Sequence, residues 1–202
     1  MRTPVWKRVI DLSVAAMALL VLGPVLAVAA LWVLAISPGP VLFRQQRVGL
    51  GGEPFAILKL RTMTIPAPDE ERSTVSVRND PRLIRGAPLI RKLKIDEIPQ
   101  LLNVLLGDMS LVGPRPTVQE DYDKMTPRQR RRCETPPGMT GLAQVRGNTS
   151  LSWPQRIEFD LKYLARRSFW LDTRVLSRTA WLVLRGAAHT DPPSENEWEA
   201  AA

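Results

Sequence analysis

Residues 12–36 read LSVAAMALLVLGPVLAVAALWVLAI, 25 residues without a charge. As an α-helix this stretch is about 37 Å long, enough to cross a hydrocarbon core of about 30 Å. A secretory signal peptide is a weaker reading. Its apolar core would be shorter, and no small-residue cleavage pattern precedes Ser37. Gly23-Pro24 falls at the middle, where the proline removes a backbone donor and crowds the preceding turn, so a bend is expected. Both flanks are basic, with Arg2, Lys7 and Arg8 before the segment and Arg44 and Arg47 after it. The positive-inside rule keeps both flanks in the cytoplasm. A segment that enters the bilayer, bends at Pro24 and returns to the same face satisfies both observations. A kinked spanning helix is the competing reading, because membrane helices tolerate proline. Asp11 lies one helical turn from Lys7 and Arg8 on the same face, so a local ion pair is expected there, anchoring the segment at the membrane edge.

The chain of 202 residues suits one domain with an appendage and can bury a core without disulfides. Its single cysteine, Cys133, excludes an intramolecular disulfide and reads as an incidental thiol. A net charge of +8 and a pI near 10.4 imply an anionic partner: nucleic acid, anionic lipid or a phosphorylated substrate. There are no repeats and no Cys/His metal constellation. The only histidine, His189, falls in residues 187–202, which are small, acidic and proline-containing and read as a disordered tail, so no Ser-His nucleophile is expected.

Residues 37–43, SPGPVLF, read as a turn leading into a strand. Gly49, Gly51 and Gly52 form a hairpin-like loop, for which a tight turn is favoured over a phosphate cradle. Residues 55–63, FAILKLRTM, are a second strand or a short helix, and residues 65–82 an exposed loop. Residues 89–107, LIRKLKIDEIPQLLNVLLG, carry the most information. Ile98, Leu101, Leu102 and Leu105 recur at i, i+3, i+4 and i+7, which predicts a helix with a buried face. Pro99 fits only its first turn and Gly107 its end. Asp96 and Glu97 then sit at or just before the helix start, where unpaired N–H groups attract anions. A single acid there is a cap. Two adjacent carboxylates, with Arg91, Lys92 and Lys94 upstream, can also hold a hard divalent ion and through it a diphosphate. Arg115 lies on a loop stiffened by Gly113, Pro114 and Pro116, which suits bidentate phosphate binding, although a surface turn arginine fits as well. The arginines at 128, 130, 131 and 132 read as a solvated helix face, or as contacts to anionic headgroups. Residues 136–147 read as turn, strand and loop. Residues 153–186, with Trp153, Trp170 and Trp181 among leucines and arginines, predict amphipathic helices that either lie in a membrane interface or pack on the core.

These residues resemble the small monotopic phosphoglycosyl transferases, bacterial sugar transferases that start glycan assembly on a polyprenyl carrier. The resemblance runs from Lys7 to Gly186. It is carried by Lys7-Arg8 with Asp11, by Pro24, by SPGPVLF, by the QxRxGxxGxxF pattern of residues 45–55 and by KLRTM. Its most specific parts are IDEIPQLLNVLLGDMSLVGPRP and PGMTGLAQVRG. The implied fold is α+β: a re-entrant membrane helix over residues 1–36 bent at Pro24, and a catalytic domain over residues 37–186 with a small soluble α/β core and amphipathic interfacial helices. The implied place is the cytoplasmic face of the bacterial inner membrane, attached to the lipid bilayer monotopically. The implied reaction uses a nucleoside-diphosphate sugar, usually a UDP-sugar, and polyprenyl phosphate, with Mg2+. Asp96 matches the nucleophile that attacks the sugar-linked phosphorus, releases UMP and passes the phosphosugar to the lipid phosphate, a covalent route that divides one hard displacement into two. Glu97 would help hold the metal or move a proton. Arg115, Arg91, Arg146, Lys59 and Arg61 would bind substrate phosphate. Two departures stand out: Lys94-Ile95 replaces a common Ser-Leu, and Asn148 stands where the family often has an arginine, leaving Arg146 as the neighbouring cation. A homodimer is left open, and no nucleic-acid partner is expected. The competing class is a basic, membrane-anchored binding protein for anionic lipid or nucleic acid. It accounts for the charge and the apolar segment but not for the carboxylate pair.

Overall fold

The structure is a computed structural model in which residues 3–64 and 80–185 are described. Arg2, residues 65–79 of the expected exposed loop and the expected tail over residues 187–202 lie outside the described residues.

The uncharged stretch lies in α1 (Val5–Ile36), a continuous helix that contains Pro24. One stripe of α1 packs on protein. Ala15 sits in a core with Leu101, Val104, Leu111 and Val175, flanked by Leu19 and Leu26. Further along, Ala29 and Val33 sit in a second core with Leu60, Ile84, Ala87 and Ile90. Alanines at the contact points let the helix approach closely. The rest of the surface of α1 is apolar and exposed, including Met17, Leu20, Val21, Val28 and Leu31. Burying each such side chain is worth about 1.5–3 kcal/mol, so this surface calls for an apolar solvent.

The local ion pair expected of Asp11 does not form. Lys7 instead reaches Asp172, with Nζ 2.6 Å from Oδ2, and both residues are buried. Tyr163 adds its hydroxyl, 2.8 Å from Asp172 Oδ1 and 3.0 Å from the Val112 carbonyl. Asp11 accepts from Ser110 Oγ at 2.8 Å and from the Leu111 N–H at 3.1 Å. Arg8 donates to the carbonyls of Val104 and Leu105 at 2.6 and 2.9 Å. A cation there complements the negative end of a helix.

β1 (Leu42–Val48) and β2 (Pro54–Leu60) form the expected antiparallel hairpin, so residues 55–63 give a strand rather than a helix. Gly51 and Gly52 turn it with φ of 69° and 90°, conformations that a Cβ disfavours. Next come α2 (Ala87–Lys92), a 3₁₀ turn (Ile95–Glu97) and α3 (Gln100–Leu106). Pro99 is the residue before α3, and Gly107 closes it with φ of 102°. The buried face of α3 runs through Ile98, Leu101 and Val104, with Leu105 partly buried, whereas Leu102 is exposed, contrary to the periodicity reading.

β3 (Ser110–Val112) pairs in parallel with β4 (Gly138–Thr140). Gly113 and Gly138 explain part of the two glycine-containing motifs: a Cβ on Gly138 would lie 2.1 Å from the Gly113 nitrogen. Between the strands lie α4 (Gln119–Asp123), α5 (Pro127–Arg130) and a 3₁₀ turn (Arg131–Glu134). After β4 the expected loop is a short helix, α6 (Leu142–Arg146), followed by α7 (Trp153–Arg166) and α8 (Phe169–Leu184). The last two split the reading of residues 153–186. α7 is a core helix that buries Ile157, Asp160 and Tyr163, whereas α8 buries Val175 and exposes Trp170 and Leu184. The fold is thus mixed helix and sheet: a long apolar N-terminal helix and a small core with two two-stranded sheets.

Candidate active site

Lys94 ends α2 with a left-handed backbone, φ 59°, which redirects the chain into the 3₁₀ turn that carries Asp96 and Glu97. Their placement just before α3 is the one expected from Pro99. The two carboxylates nevertheless have opposite surroundings. Glu97 Oε1 lies 3.4 Å from Lys94 Nζ, 3.5 Å from Arg115 Nη2 and 4.0 Å from Lys59 Nζ. Burial alone would push Glu97 up, but Arg115, Lys94 and Lys59 outweigh it and hold the group ionised, well below the usual carboxylate range. Asp96 is buried, and its Oδ1 has no hydrogen-bond partner among the described residues. Burial first, and then the charge of Glu97, raise it to about 6. Neighbouring acids pushed in opposite directions are able to divide acid and base, or nucleophile and anchor, roles between them.

The cations come from separate elements. Lys59 is on β2, and burial lowers it to about 8 despite Glu97. Its strand is held by Asn103 of α3, whose Oδ1 accepts from Leu58 N at 3.0 Å and whose Nδ2 donates to the Ala56 carbonyl at 2.9 Å. A side-chain amide thus acts as the missing neighbour of the strand edge. Arg115 lies on the loop after β3. The Gly113 N–H and the Gly138 N–H bind the Thr140 and Pro114 carbonyls at 2.8 Å each, which fixes that loop to β4. Arg132 adds a buried strut: its Nη2 donates to the Arg115 carbonyl at 2.8 Å and lies 2.6 Å from Asp160 Oδ2. Arg91 donates from Nε to Thr62 Oγ1 at 2.9 Å and lies close enough to Asp96 for their charges to interact.

Lys59, Arg91 and Arg115 therefore gather around the carboxylate pair as the motifs suggested. Arg61 does not. It is buried and donates to the carbonyls of Ser37 and Pro38, stapling the end of α1 to the hairpin. Arg146 is exposed at the end of α6 and makes no ion pair with either carboxylate among the described residues. Asn148 takes a left-handed φ of 50°, a conformation asparagine tolerates, and its carbonyl accepts from Arg156 Nε at 2.9 Å. The run at residues 128–132 is not a bare basic face either. Arg128 pairs with Glu158, Arg131 with Glu134, and Arg132 is buried against Asp160.

Lys94, read from the sequence as a cation just upstream of the pair, joins the cluster through its i,i+3 spacing to Glu97. Arg47 was read only as a basic flank of the apolar segment, and no local signal places it near the site. An isolated bridge between Val48 and Thr117 draws the end of β1 to the Arg115 loop. Burial and then Arg115 lower Arg47 to about 10. Among the described residues no three acidic, histidine or cysteine side chains converge. Magnesium usually takes only one or two carboxylates and completes its shell with substrate phosphate and water. The unpartnered Asp96 Oδ1, a hard oxygen beside a second carboxylate, fits that donor set.

Residues 2–186 match the family described as bacterial sugar transferase. The chain belongs to that family. It is 47% identical over 183 residues to a UDP-glucose:undecaprenyl-phosphate glucose-1-phosphate transferase of Caulobacter vibrioides, a match covering 86% of this chain and 67% of the relative. It is 45% identical over 180 residues to the sugar transferase EpsL of Bacillus subtilis, covering 88% and 87%. An Escherichia coli UDP-glucose:undecaprenyl-phosphate glucose-1-phosphate transferase is 38% identical over 183 residues, covering 87% of this chain but 39% of the relative. Family membership removes the competing class, a non-enzymatic binding protein, and places the carboxylate pair in a sugar transferase.

Proposed function

We propose that this enzyme is a phosphoglycosyl transferase that moves a sugar-1-phosphate from a UDP-sugar to polyprenyl phosphate with Asp96 as the covalent nucleophile. The observation that carries this reading is the asymmetry of the pair: Glu97 is held by three cations, whereas the neighbouring Asp96 keeps a buried oxygen without a partner among the described residues. The names of the relatives support donor and acceptor, since several act between UDP-glucose and undecaprenyl phosphate.

In the first step an Asp96 oxygen forms a bond to the sugar-linked phosphorus, and the bond from that phosphorus to the bridging diphosphate oxygen breaks. UMP leaves with that electron pair. In the second step an oxygen of polyprenyl phosphate attacks the same phosphorus, the bond to Asp96 breaks, and the free carboxylate returns with the polyprenyl-diphosphate sugar as product. Arg115, Lys59 and Arg91 bind the phosphoryl oxygens, where charge must be held away from water. Glu97 keeps Lys59, Lys94 and Arg115 gathered before substrate arrives. Asp96, with Glu97 beside it, would hold Mg2+, which when bound supplies neutralisation of phosphate charge.

A re-entrant α1 on the cytoplasmic face suits this chemistry. Lys7, Arg8 and Asp11 at one end of α1 and Ala29 and Val33 near the other are both tied to the small domain that follows the helix. A spanning helix would have its ends on opposite sides of the bilayer. Cysteines at residues 3 and 50 should both react with an impermeant reagent from the cytoplasmic side; labelling from opposite sides excludes the re-entrant reading.

The reaction is tested by screening a UDP-sugar panel for UMP release with polyprenyl phosphate and Mg2+, and by intact-mass detection of a phosphosugar adduct when the acceptor is withheld. Turnover by Asp96→Asn would rule out the covalent route.

A further inference from the structure

We propose that Gln100 is a positioning residue for Asp96, its amide N–H donating to the Asp96 oxygen that carries no phosphorus in the covalent intermediate. This role rests on the covalent route proposed above and concerns its second step. α3 carries two buried amides, Gln100 and Asn103, each 1% exposed. Asn103 is fully used. Its Oδ1 accepts from the Leu58 N–H, and its Nδ2 donates to the Ala56 carbonyl and, at 3.2 Å, to Asp108 Oδ2. Gln100 Nε2 has no hydrogen-bond partner among the described residues. A buried donor without an acceptor is disfavoured, so its presence calls for a reason.

One turn earlier stands an acceptor in the same condition, Asp96 Oδ1. The backbone stays right-handed and helical between the two: the 3₁₀ turn ends at Glu97, and Ile98 and Pro99 both keep helical dihedrals. On such a backbone residues three and four apart are neighbours, and a glutamine is long enough to meet a carboxylate four residues away. The 3₁₀ turn and α3 both pack on β2. Asn103 meets that strand at Ala56 and Leu58, and Asp96 lies near enough to Lys59 for their charges to interact. Gln100, between the two in sequence and as buried as Asn103, continues that polar stripe toward the reacting carboxylate.

The arrangement suits a hydrogen bond made late. Among the described residues the Gln100 N–H is uncommitted, so no bond to it has to break when Asp96 takes up the phosphosugar. In the second step an oxygen of polyprenyl phosphate bonds to the phosphorus. The bond from that phosphorus to Asp96 breaks, and its electron pair returns to the carboxylate, where the charge spreads over both oxygens. A donor holds a charged acceptor more strongly than a neutral one. The Gln100 N–H therefore gains strength as the acyl carbonyl becomes a carboxylate oxygen, and it stabilises the transition state more than the intermediate.

The full chain would be loaded with Mg2+ and the UDP-sugar that the panel above selects, without acceptor. Polyprenyl phosphate is then added, and the adduct is followed by rapid-quench intact mass. Gln100→Met removes the donor and keeps the length of the side chain. Its adduct should form at the wild-type rate and decay roughly tenfold to a hundredfold more slowly once acceptor is present, with a melting temperature no lower than that of wild type. Decay at the wild-type rate overturns the proposal, and a lowered melting temperature alongside it makes Gln100 a purely structural amide. A second measurement needs no variant. The infrared carbonyl stretch of the wild-type adduct should lie below that of an acyl phosphate in aprotic solvent, as a hydrogen bond to that oxygen requires. An unshifted stretch overturns the proposal. Absence of any adduct in wild type overturns the covalent route and this role with it, whereas an adduct whose decay is indifferent to Gln100 leaves the route standing and removes this role alone.

Discussion

Two buried charged regions of this protein have been put to opposite uses. Around Lys7 and Asp11, each carboxylate oxygen of Asp172 and Asp11 has a donor: Lys7 and Tyr163 serve Asp172, and Ser110 and the Leu111 N–H serve Asp11. Around Asp96 the accounting is left open on one oxygen, with Lys59, Lys94 and Arg115 gathered on Glu97 beside it. A satisfied buried pair resists change, because removing one partner strands the other in a medium that solvates it poorly. A buried carboxylate with a free oxygen is costly to ionise, but it is the one that can accept a phosphorus or a metal. The first region fastens the long apolar helix to its domain; in the proposed mechanism the second holds reactive charge ready.

The sharpest way to break this contrast is to exchange the effects. Asp96→Asn should lower transfer by at least about a thousandfold, yet it should not destabilise the fold. The folded-state pKa of Asp96, about 6, lies above its unfolded value of 3.8. Its contribution to stability is therefore full below pH 3.8 and is lost as pH rises through about 6. At pH 7.5 the asparagine variant should exceed wild type by about 1–3 kcal/mol, a difference that disappears near pH 4. Thermal melts of both proteins across this pH range, without Mg2+, check it. Equal stability at every pH would mean that Asp96 is better solvated than its burial implies.

Lys7→Met should do the reverse. It strands Asp172 and should cost about 3–5 kcal/mol, while the molecules that remain folded keep their kcat. A Lys7→Met/Asp172→Leu double variant should recover part of that loss in chemical denaturation. A large fall in kcat for folded Lys7→Met would show that the anchor takes part in the chemistry.

Asn103→Ala lies between the two regions. It leaves the Leu58 N–H and the Ala56 carbonyl without their partner and should cost about 1–3 kcal/mol. It should also raise KM for the UDP-sugar, because Lys59 is on the same strand. A smaller effect on catalysis concerns the strut behind Arg115. Arg132→Met strands the buried Asp160 and should lower stability as Lys7→Met does; in the folded enzyme it should reduce kcat/KM in wild type but have little further effect in an Arg115→Ala background. Additive losses would make the strut a general stabiliser. A contrast at the surface completes the series: Arg128→Ala, which removes an exposed ion pair with Glu158, should leave both melting temperature and rate unchanged.

Much of the candidate site was legible because its signals are local. Pro99 and Gly107 bracket α3, and the adjacency of Asp96 and Glu97 is a matter of covalent order. Their carboxylates were placed correctly for that reason. Arg61 and Arg91 looked equivalent in sequence, yet Arg61 turned to the Ser37 and Pro38 carbonyls while Arg91 stayed near Asp96. The solvated face read for residues 128–132 holds for Arg128, Arg130 and Arg131, which are exposed, but not for Arg132, whose buried partner Asp160 lies on α7, which no local periodicity brings to it.

The sequence by itself determined the apolar segment, the helix and turn boundaries and the carboxylate pair, because these follow from hydropathy, backbone restriction and the order of neighbouring residues. Tertiary structure alone decided where the buried charges of α1 went. Asp11 appeared to belong to Lys7, one turn away, but Lys7 found Asp172 across 165 positions and Asp11 found Ser110 across 99. In a low-dielectric interior a charge is stabilised by whichever donors the packed fold brings within about 3 Å, and that proximity does not exist until the chain has folded.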